Sequence, residues 1–361
     1  MDPSKSQTNT SQFKNIPEDE IIQLTSYHRR DFDLAVIRIN PRDHKHVRKS
    51  LTQPLEAPSS SLGQLDILHL ELIHEICVHL DIESLFRFRQ VSRLAHQCVS
   101  TSRFYRETTT HALDTLCILQ RTKLAKQFTL PELFTALCTR DCQLCSSFSG
   151  FLFLPTLLRC CFSCIHLNRL PELVPFTDAK WYVSSKSKTL SKLSSLANFH
   201  PTLRTLPGIY SMREVPIKGR RELVTMDEII RTVGSRPTPD EQNVWTSARS
   251  YSNLPFMATT ALPWFNRVKG RLEEGVCCSG CQVSLEEYFT GGSDSLPDIL
   301  ALRERVYSQD EFIGHFGQCR KAQEVWHLRK HGTSVEGVSE FVSRRGYFNQ
   351  RDVVMSFDRF F

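Results

Sequence analysis

Residues 68–98 read LHLELIHEICVHLDIESLFRFRQVSRLAHQC, and the apolar period of this stretch decides how the chain is read. Leu72, Ile73, Ile76 and Leu80 recur at helical spacing on one stripe, and Leu85, Phe88, Val91 and Ala95 on a second. Asp81 stands between the stripes, where a helix needs an N-cap. Thr101 or Ser102 can cap a third helix that carries Phe104 and Tyr105 inward. The pattern predicts a compact set of short helices over residues 65–108.

Upstream, residues 1–62 mix charge with Pro41, Pro54, Pro58 and the run from Ser59 to Ser61. They hold one short apolar alternation, Leu34 to Ile39, and predict a mostly disordered arm. Downstream, residues 109–120 have a helical pattern. Thr129-Leu130-Pro131-Glu132 then has the form of a capping box, opening a helix through Leu133, Phe134 and Leu137 that ends at the first cysteine pair. Residues 109–215 therefore read as helices plus a cysteine-rich region. Between about Ser184 and Pro263 the chain turns basic and serine-rich, with prolines at 201, 207, 216, 237 and 239 that break long elements. Within it, residues 216–260 read as a loop-rich linker. A last folded piece is expected at 261–331, where Trp264, Phe265, Tyr288, Phe289 and Trp326 lie near the second cysteine pair, followed by a tail at 332–361. No internal repeat at solenoid periods is visible.

The chain has 361 residues, 40% of them hydrophobic and 23 of them phenylalanine, which excludes a wholly disordered protein. Its polar opening has no apolar core of a signal peptide, and the longest apolar stretch, Phe151 to Leu158, is too short to span a bilayer. Neither secretion nor membrane association is expected. Thirteen cysteines, an odd number, point to thiols kept reduced in an intracellular compartment, cytoplasmic or nuclear, where clustered cysteines hold metal. The net charge of +6, from 45 basic and 39 acidic residues, permits nucleic-acid binding without demanding it.

Cys142-x2-Cys145 is followed, after fifteen residues, by Cys161-x2-Cys164. Four thiolates at this spacing suit one tetrahedral zinc, because each Cys-x2-Cys turn aims two sulfurs at a common point. The intervening GFLFLPTLL supplies apolar cover. Cys160 could replace Cys161, although only Cys161 forms the two-residue gap with Cys164. A second pair, Cys278 and Cys281, follows Cys277 and is joined downstream by His315-x3-Cys319. Residues four apart on a helix share a face, so His315 and Cys319 can approach one ion together with the two thiolates. Phe312 and Phe316, also four apart, would bury that helix. The alternatives are ordinary buried thiols in the first case, and a surface histidine beside a core thiol in the second. Up to two zinc ions are expected, each with four protein ligands. Such sites leave no open position for water and act as staples whose binding energy, on the order of 10 kcal/mol, becomes folding energy.

No enzyme is expected. His74-Glu75 with His79 imitates the zinc-protease His-Glu-x-x-His, but the second histidine is one residue too far, placing the rings roughly 140° apart around a helix. Neither Cys-x2-Cys follows a thioredoxin-like βαβ pattern, and there is no Gly-rich phosphate loop or Gly-x-Ser-x-Gly elbow.

The segment from Leu68 to Cys98 resembles the F-box, whose usual form is Leu-Pro-x-Glu-Leu, an apolar helix, an acidic break, then Leu and Val-Ser-Arg. Leu68, Glu71, Leu72, Ile73, Ile76, Leu80, Leu85, Val91, Ser92 and Arg93 match. His69 replaces the usual proline, and the aromatic residue common after Val-Ser-Arg is replaced by His96 or a neighbour, departures that bear on adaptor affinity. The later pattern, Cys142 to Cys164 and then PTLRTLPGIYSM from Pro201 to Met212, is similar to a fungal-type family of F-box proteins in content and order. The resemblance implies docking on the Skp-type adaptor of a cullin-RING ubiquitin ligase, with the rest of the chain selecting an unknown protein substrate. Leu68, Leu72, Ile73, Ile76, Leu80 and Leu85 are then the candidate adaptor contacts, some of which must instead form the segment's own core.

The rival is a zinc-stapled nucleic-acid-binding or general interaction module. The stretch 180–236 carries Lys186, Lys188, Lys192, Arg204, Lys218, Arg220 and Arg221, but Glu214, Glu222, Asp227 and Glu228 are interspersed. The expected fold is mainly α: a short three-helix F-box followed by small zinc-stapled irregular or helical modules.

Overall fold

The computed structural model describes residues 16–42, 45–53, 60–186, 200–212, 215–238, 252–291, 295–330 and 339–347. About 54% of these are helical and 14% lie in strands or bridges. Contacts divide the chain into two compact units, and both are discontinuous in sequence. One gathers the residues up to Asp33, Ser146–Ser149 and those from Glu273 onward; the other holds Leu34–Cys145 and Gly150–Leu272.

The larger unit begins with the short helices. Leu70–His79, Ile82–Arg89 and Arg93–Thr101 follow one another, and Arg103–His111 and Leu113–Arg121 continue the set. Asp81 caps the second helix by accepting from Ser84 N–H, as its position suggested, while Ser92 caps the third by accepting from Ala95 N–H. Ser102 precedes Arg103–His111 and makes no side-chain cap. Inward-facing Ile73, Ile82, Leu85, Ala95 and Val99 form the core of the set. The box at Thr129 is formed in both directions, Thr129 accepting from Glu132 N–H and Glu132 accepting from Thr129 N–H.

Beyond these helices the larger unit contains more strand than its sequence pattern predicts. Phe151–Phe153 and Leu158–Cys160 form an antiparallel hairpin, and Thr259–Ala261, about a hundred residues downstream, adds a third strand beside Phe151–Phe153. The apolar run 151–158 is thus sheet core, with Leu152, Phe153 and Leu154 fully buried. The expected linker at 216–260 is also partly folded. Glu222–Thr225 is the central strand between Leu173–Pro175 and Leu203–Arg204, and it feeds the helix Met226–Val233, whose Met226 and Ile229 pack on Val174 and Tyr182. The periodicity of such short strands is too brief to separate them from loops.

The smaller unit corrects two further expectations. Residues 16–33 are a folded part of it: the helix Glu18–Thr25 buries Ile21, Ser26–Tyr27 pairs with Cys277–Cys278, and Arg30–Leu34 buries Phe32. In the larger unit, Ala35, Val36 and Ile37 of the same expected arm are buried as well. Residues 1–15 of that arm lie outside the described residues. In the expected tail, Phe341 and Val342 are buried with Tyr27 and Cys277. A charged network ties these pieces together. Arg29 is 2% exposed, is held by Asp31 at 2.5 Å and Glu304 at 3.5 Å, and lies 3.9 Å from the centre of the Phe32 ring. Burial disfavours its charge, but Asp31 and Glu304 outweigh that cost and hold it firmly protonated. Arg303 donates to the buried Gln282 at 2.8 Å. Composition hid this segment because its apolar residues are few and find their partners some 250 residues away.

Phe32→Ala should lower stability by about 3–5 kcal/mol, the cost of emptying a buried aromatic site. Thermal unfolding of the full chain measures it, and an unchanged melting temperature would show that residues 16–33 do not belong to the core.

Candidate metal centres

Two groups of side chains could each hold a metal ion: Cys142, Cys145, Cys161 and Cys164 in the larger unit, and Cys278, Cys281, His315 and Cys319 in the smaller one. Within each group the ligand atoms all lie within 4.8 Å of one another.

In the first group Cys142 and Cys145 sit on the loop after the helix Leu130–Cys138. This loop is clipped to the neighbouring hairpin, where Gln143 N–H donates to Arg159 O at 3.0 Å and Arg159 N–H donates to Gln143 Oε1 at 2.8 Å. Ser146 takes a left-handed φ of 60°, turning the chain directly after Cys145. Cys161 precedes the short helix Phe162–His166, and Cys164 lies one turn inside it. Cys142 Sγ is 3.8 Å from Cys164 Sγ, and Cys145 Sγ is 3.5 Å from Cys161 Sγ. Four sulfurs around a tetrahedral zinc with ordinary Zn–S bonds are separated by about 3.8 Å. The spacing fits that geometry and is far longer than a disulfide bond.

In the second group Cys278 caps the helix Ser279–Phe289, with Cys281 N–H donating to its sulfur at 3.4 Å. His315 ends the helix Gln309–Phe316, and Cys319 lies one turn on, its N–H donating to His315 O. Cys319 Sγ is 3.8 Å from Cys278 Sγ and 4.0 Å from Cys281 Sγ, while His315 Nε2 is 3.4 Å from Cys281 Sγ. Phe312 and Phe316 are buried in the same cluster as Cys278, Cys281, Trp326 and Ile21. Gly280 lets the two ligand-bearing halves meet. A Cβ there would fall 2.2 Å from Ala322 N, so this backbone packs directly on the helix Arg320–Lys330.

The electrostatics of both groups favours a cation. Hydrogen bonding with Cys161 pulls the Cys142 thiol down to about 4 against the opposing effect of burial, and the amides of Leu144 and Cys145 assist. Cys161 is pushed up by its bond to Cys142 and by burial, and burial pushes Cys164 up to about 12. In the second group Cys278 and Cys281 hold Cys319 far below the ordinary thiol range, and Cys281 is driven far above it. Within each group, neighbouring thiols oppose one another's ionisation, because adjacent thiolates repel. A divalent cation removes that repulsion and lets every sulfur ionise. Cys160 and Cys277, each next to a ligand, belong to neither group and are fully buried, with their thiols pushed up by burial.

Two supporting residues escaped the sequence reading. Tyr307 stacks on the His315 ring with centroids 4.7 Å apart, and its hydroxyl lies 3.2 Å from His315 Nδ1. That bond occupies Nδ1 and leaves Nε2 for the metal. Tyr307 is itself fixed by paired backbone bonds with Val276, two residues before Cys278. Arg159, 1% exposed, donates to Leu262 O and brings a buried positive charge within electrostatic reach of Cys142. Proximity to Cys142 and Cys145 through the hairpin register was not visible in the spacing.

On the helical segment, Leu72 and Ile76 are about half exposed, Leu68 and Leu80 are partly buried, and Ile73 and Leu85 are core residues. Leu65, Ile67, Leu70 and Val91 are also exposed, Ile67 at 87% and Val91 at 72%. Glu75 and His79 pair with each other on the surface of the helix, away from any metal group. Trp264 and Phe265 do not accompany the second cysteine pair, as had been expected. They belong to the larger unit, where Trp264 donates to Cys138 O and Phe265 stacks on His111.

Tyr307→Phe keeps the stacked ring and removes the hydroxyl. Metal loaded into the second group should then be lost to a competing chelator about 10–100-fold more readily, with the first group unaffected. Equal retention in the variant and the parent would remove Tyr307 from the site.

Residues 65–107 match the family model for the F-box domain. No curated protein and no solved structure matches the chain. No helix among the described residues is long and apolar enough to cross a membrane. The chain thus carries an F-box domain at residues 65–107 and, outside it, two cysteine-rich groups that could hold metal ions.

Proposed function

We propose that this chain is a non-enzymatic substrate receptor of a cullin-RING ubiquitin ligase, whose F-box docks on the Skp-type adaptor while the remaining chain presents a protein substrate. The observation that carries the proposal is the apolar side of the F-box. Leu65, Ile67, Leu70, Leu72, Ile76 and Val91 are exposed on a segment whose own core is complete without them. Side chains of this size left in water favour a partner's apolar groove. Ile73 and Leu85 hold the helices together instead, so the docking surface is narrower at those positions than periodicity suggests and wider at Leu65, Ile67 and Val91.

The metal in both groups is zinc. Four thiolates, or three with an imidazole, are its characteristic tetrahedral donors, and the separations of 3.4–4.0 Å among the bonded pairs are close to the edges of that tetrahedron. With all four positions filled by protein, each ion would serve as a cross-link and not as a Lewis acid for substrate. Such thiolate sites require a reducing compartment, the cytoplasm or nucleus, which is also where a ubiquitin ligase operates. The modules stapled in this way are mixed helix and strand.

Leu72→Asp combined with Ile76→Asp should abolish capture of the adaptor while the zinc content and melting temperature stay at parental values. Adaptor retention by a folded double variant would overturn the assignment of this face. Cys145→Ser should reduce zinc from two ions to one per chain and lower the melting temperature of the larger unit; two ions and an unchanged transition would overturn the first site.

A further inference from the structure

The positive charge of this chain is concentrated in one part of the larger unit. Residues 34–42, 118–127, 200–212 and 215–222 together hold nine Lys and Arg against one Glu, a surplus of +8, whereas the whole chain carries only +6. Hydrogen bonds bring these stretches together. Arg204 N–H donates to Thr122 O, Thr205 N–H to Arg221 O, and Ser211 N–H to Ala35 O. The buried Tyr210 between them feels the charges of both Arg38 and Arg121.

Among the described residues, Arg38, Lys123, Arg204, Lys218, Arg220 and Arg221 are all exposed and form no ion pair and no side-chain hydrogen bond. Elsewhere exposed cations find acids readily, as Arg231 does with Glu228 and Lys321 with Glu287. Unbalanced charge at this density attracts an anionic partner over the range of the Debye length.

The uncharged part of the face narrows the chemistry. Ile209 is 41% exposed and Pro216 is exposed, whereas the aromatic residue of the hairpin, Tyr210, is 1% exposed and its hydroxyl is committed to Leu206 O. Stacking of nucleic-acid bases needs an open aromatic face, and this hairpin has none. Among the described residues, the strands Gly208–Tyr210 and Val215–Ile217 pair only with each other, which leaves the hairpin a backbone edge to which an extended chain can add.

We propose that this face binds an extended, acidic polypeptide segment, with carboxylates reaching Arg204, Lys218, Arg220 and Arg221 and an aliphatic side chain of the same segment resting on Ile209. In a strand, residues two apart share a side; Ile209 and Pro216 are register partners and Lys218 lies two residues beyond Pro216, so a carboxylate two positions from an aliphatic residue can meet Lys218 while that residue rests on Ile209. That the segment belongs to a ubiquitination substrate rests on the receptor reading; the existence of the face does not.

The test uses the full chain copurified with the adaptor and a short fluorescein-labelled peptide that repeats Asp-Asp-Val-Val, so that each side of the strand carries both residue types, read by fluorescence anisotropy. The same peptide with Asn for Asp, and a single-stranded oligonucleotide of equal charge, are the comparisons. The Asp peptide should bind at least about tenfold more tightly than either, weaken with added salt, and lose about tenfold in affinity in K218E/R220E/R221E. Zinc content and melting temperature establish that the variant is folded; if it is not, the corresponding triple Gln variant replaces it and should show the same direction of loss. Equal binding of the Asp and Asn peptides, tighter binding of the oligonucleotide, or unchanged affinity in a folded variant would overturn the proposal. Adaptor capture in the same preparations separates the two readings. A chain that captures adaptor but ignores the peptide overturns this face alone, and one that binds peptide but no adaptor overturns the receptor reading and leaves this face standing.

Discussion

Mutual repulsion among buried thiolates is the constraint on which the rest of this molecule turns. Seven sulfurs and one imidazole nitrogen are drawn into two groups, each within 4.8 Å, and the fold cannot ionise them all unless a cation sits among them. The segments that supply the ligands are separated in sequence in both units. In the smaller unit Cys278 and Cys319 are 41 residues apart, and the core around them, Ile21, Tyr307, Phe312, Phe316 and Trp326, is small. In the larger unit the first group closes a three-residue hairpin against a five-residue helix. A metal ion bound in each group would cross-link these segments and favour the folded chain.

This constraint separates two jobs within the chain. The F-box helices have their own complete core, built on Ile73, Ile82, Leu85, Ala95 and Val99, and can expose an apolar side without losing their shape. The metal-bearing regions combine donor atoms with buried apolar residues, Leu152, Phe153 and Phe162 in the larger unit and Phe312 and Phe316 in the smaller. The receptor proposed above would use both properties: one end constant enough to meet a shared adaptor, and a remainder whose surface could diverge while bound metal kept the backbone in place. The unpaired cations around Lys218 and Arg221 lie on that remainder.

How far the molecule could be read from its sequence follows the range of each interaction. The Cys-x2-Cys pairs, the Asp81 cap and the Thr129 box are local, and spacing alone brought them out. The stripe from Leu72 to Leu80 was equally visible, but periodicity locates a stripe without telling which neighbour covers it, so Ile73 and Leu85 were grouped with Leu72 and Ile76 although the first two are buried and the last two are not. What escaped notice was long-range. Tyr27 pairs with Cys277, Thr260 joins a sheet whose other strands lie near residue 155, and Phe341 packs on Tyr27. Tyr307 was invisible as a partner of His315 for a related reason: nothing in an eight-residue separation announces that a hydroxyl will meet Nδ1, unless the loop and capped helix between them are already known.

Zinc K-edge X-ray absorption of the purified chain tests the central claim most directly, because it counts the atoms bonded to the metal. Seven sulfurs and one nitrogen shared between two ions give an average shell of about 3.5 sulfurs and 0.5 nitrogen per zinc, with sulfur at about 2.3 Å. A first shell dominated by oxygen or nitrogen, or two or fewer sulfurs per zinc, would contradict the account.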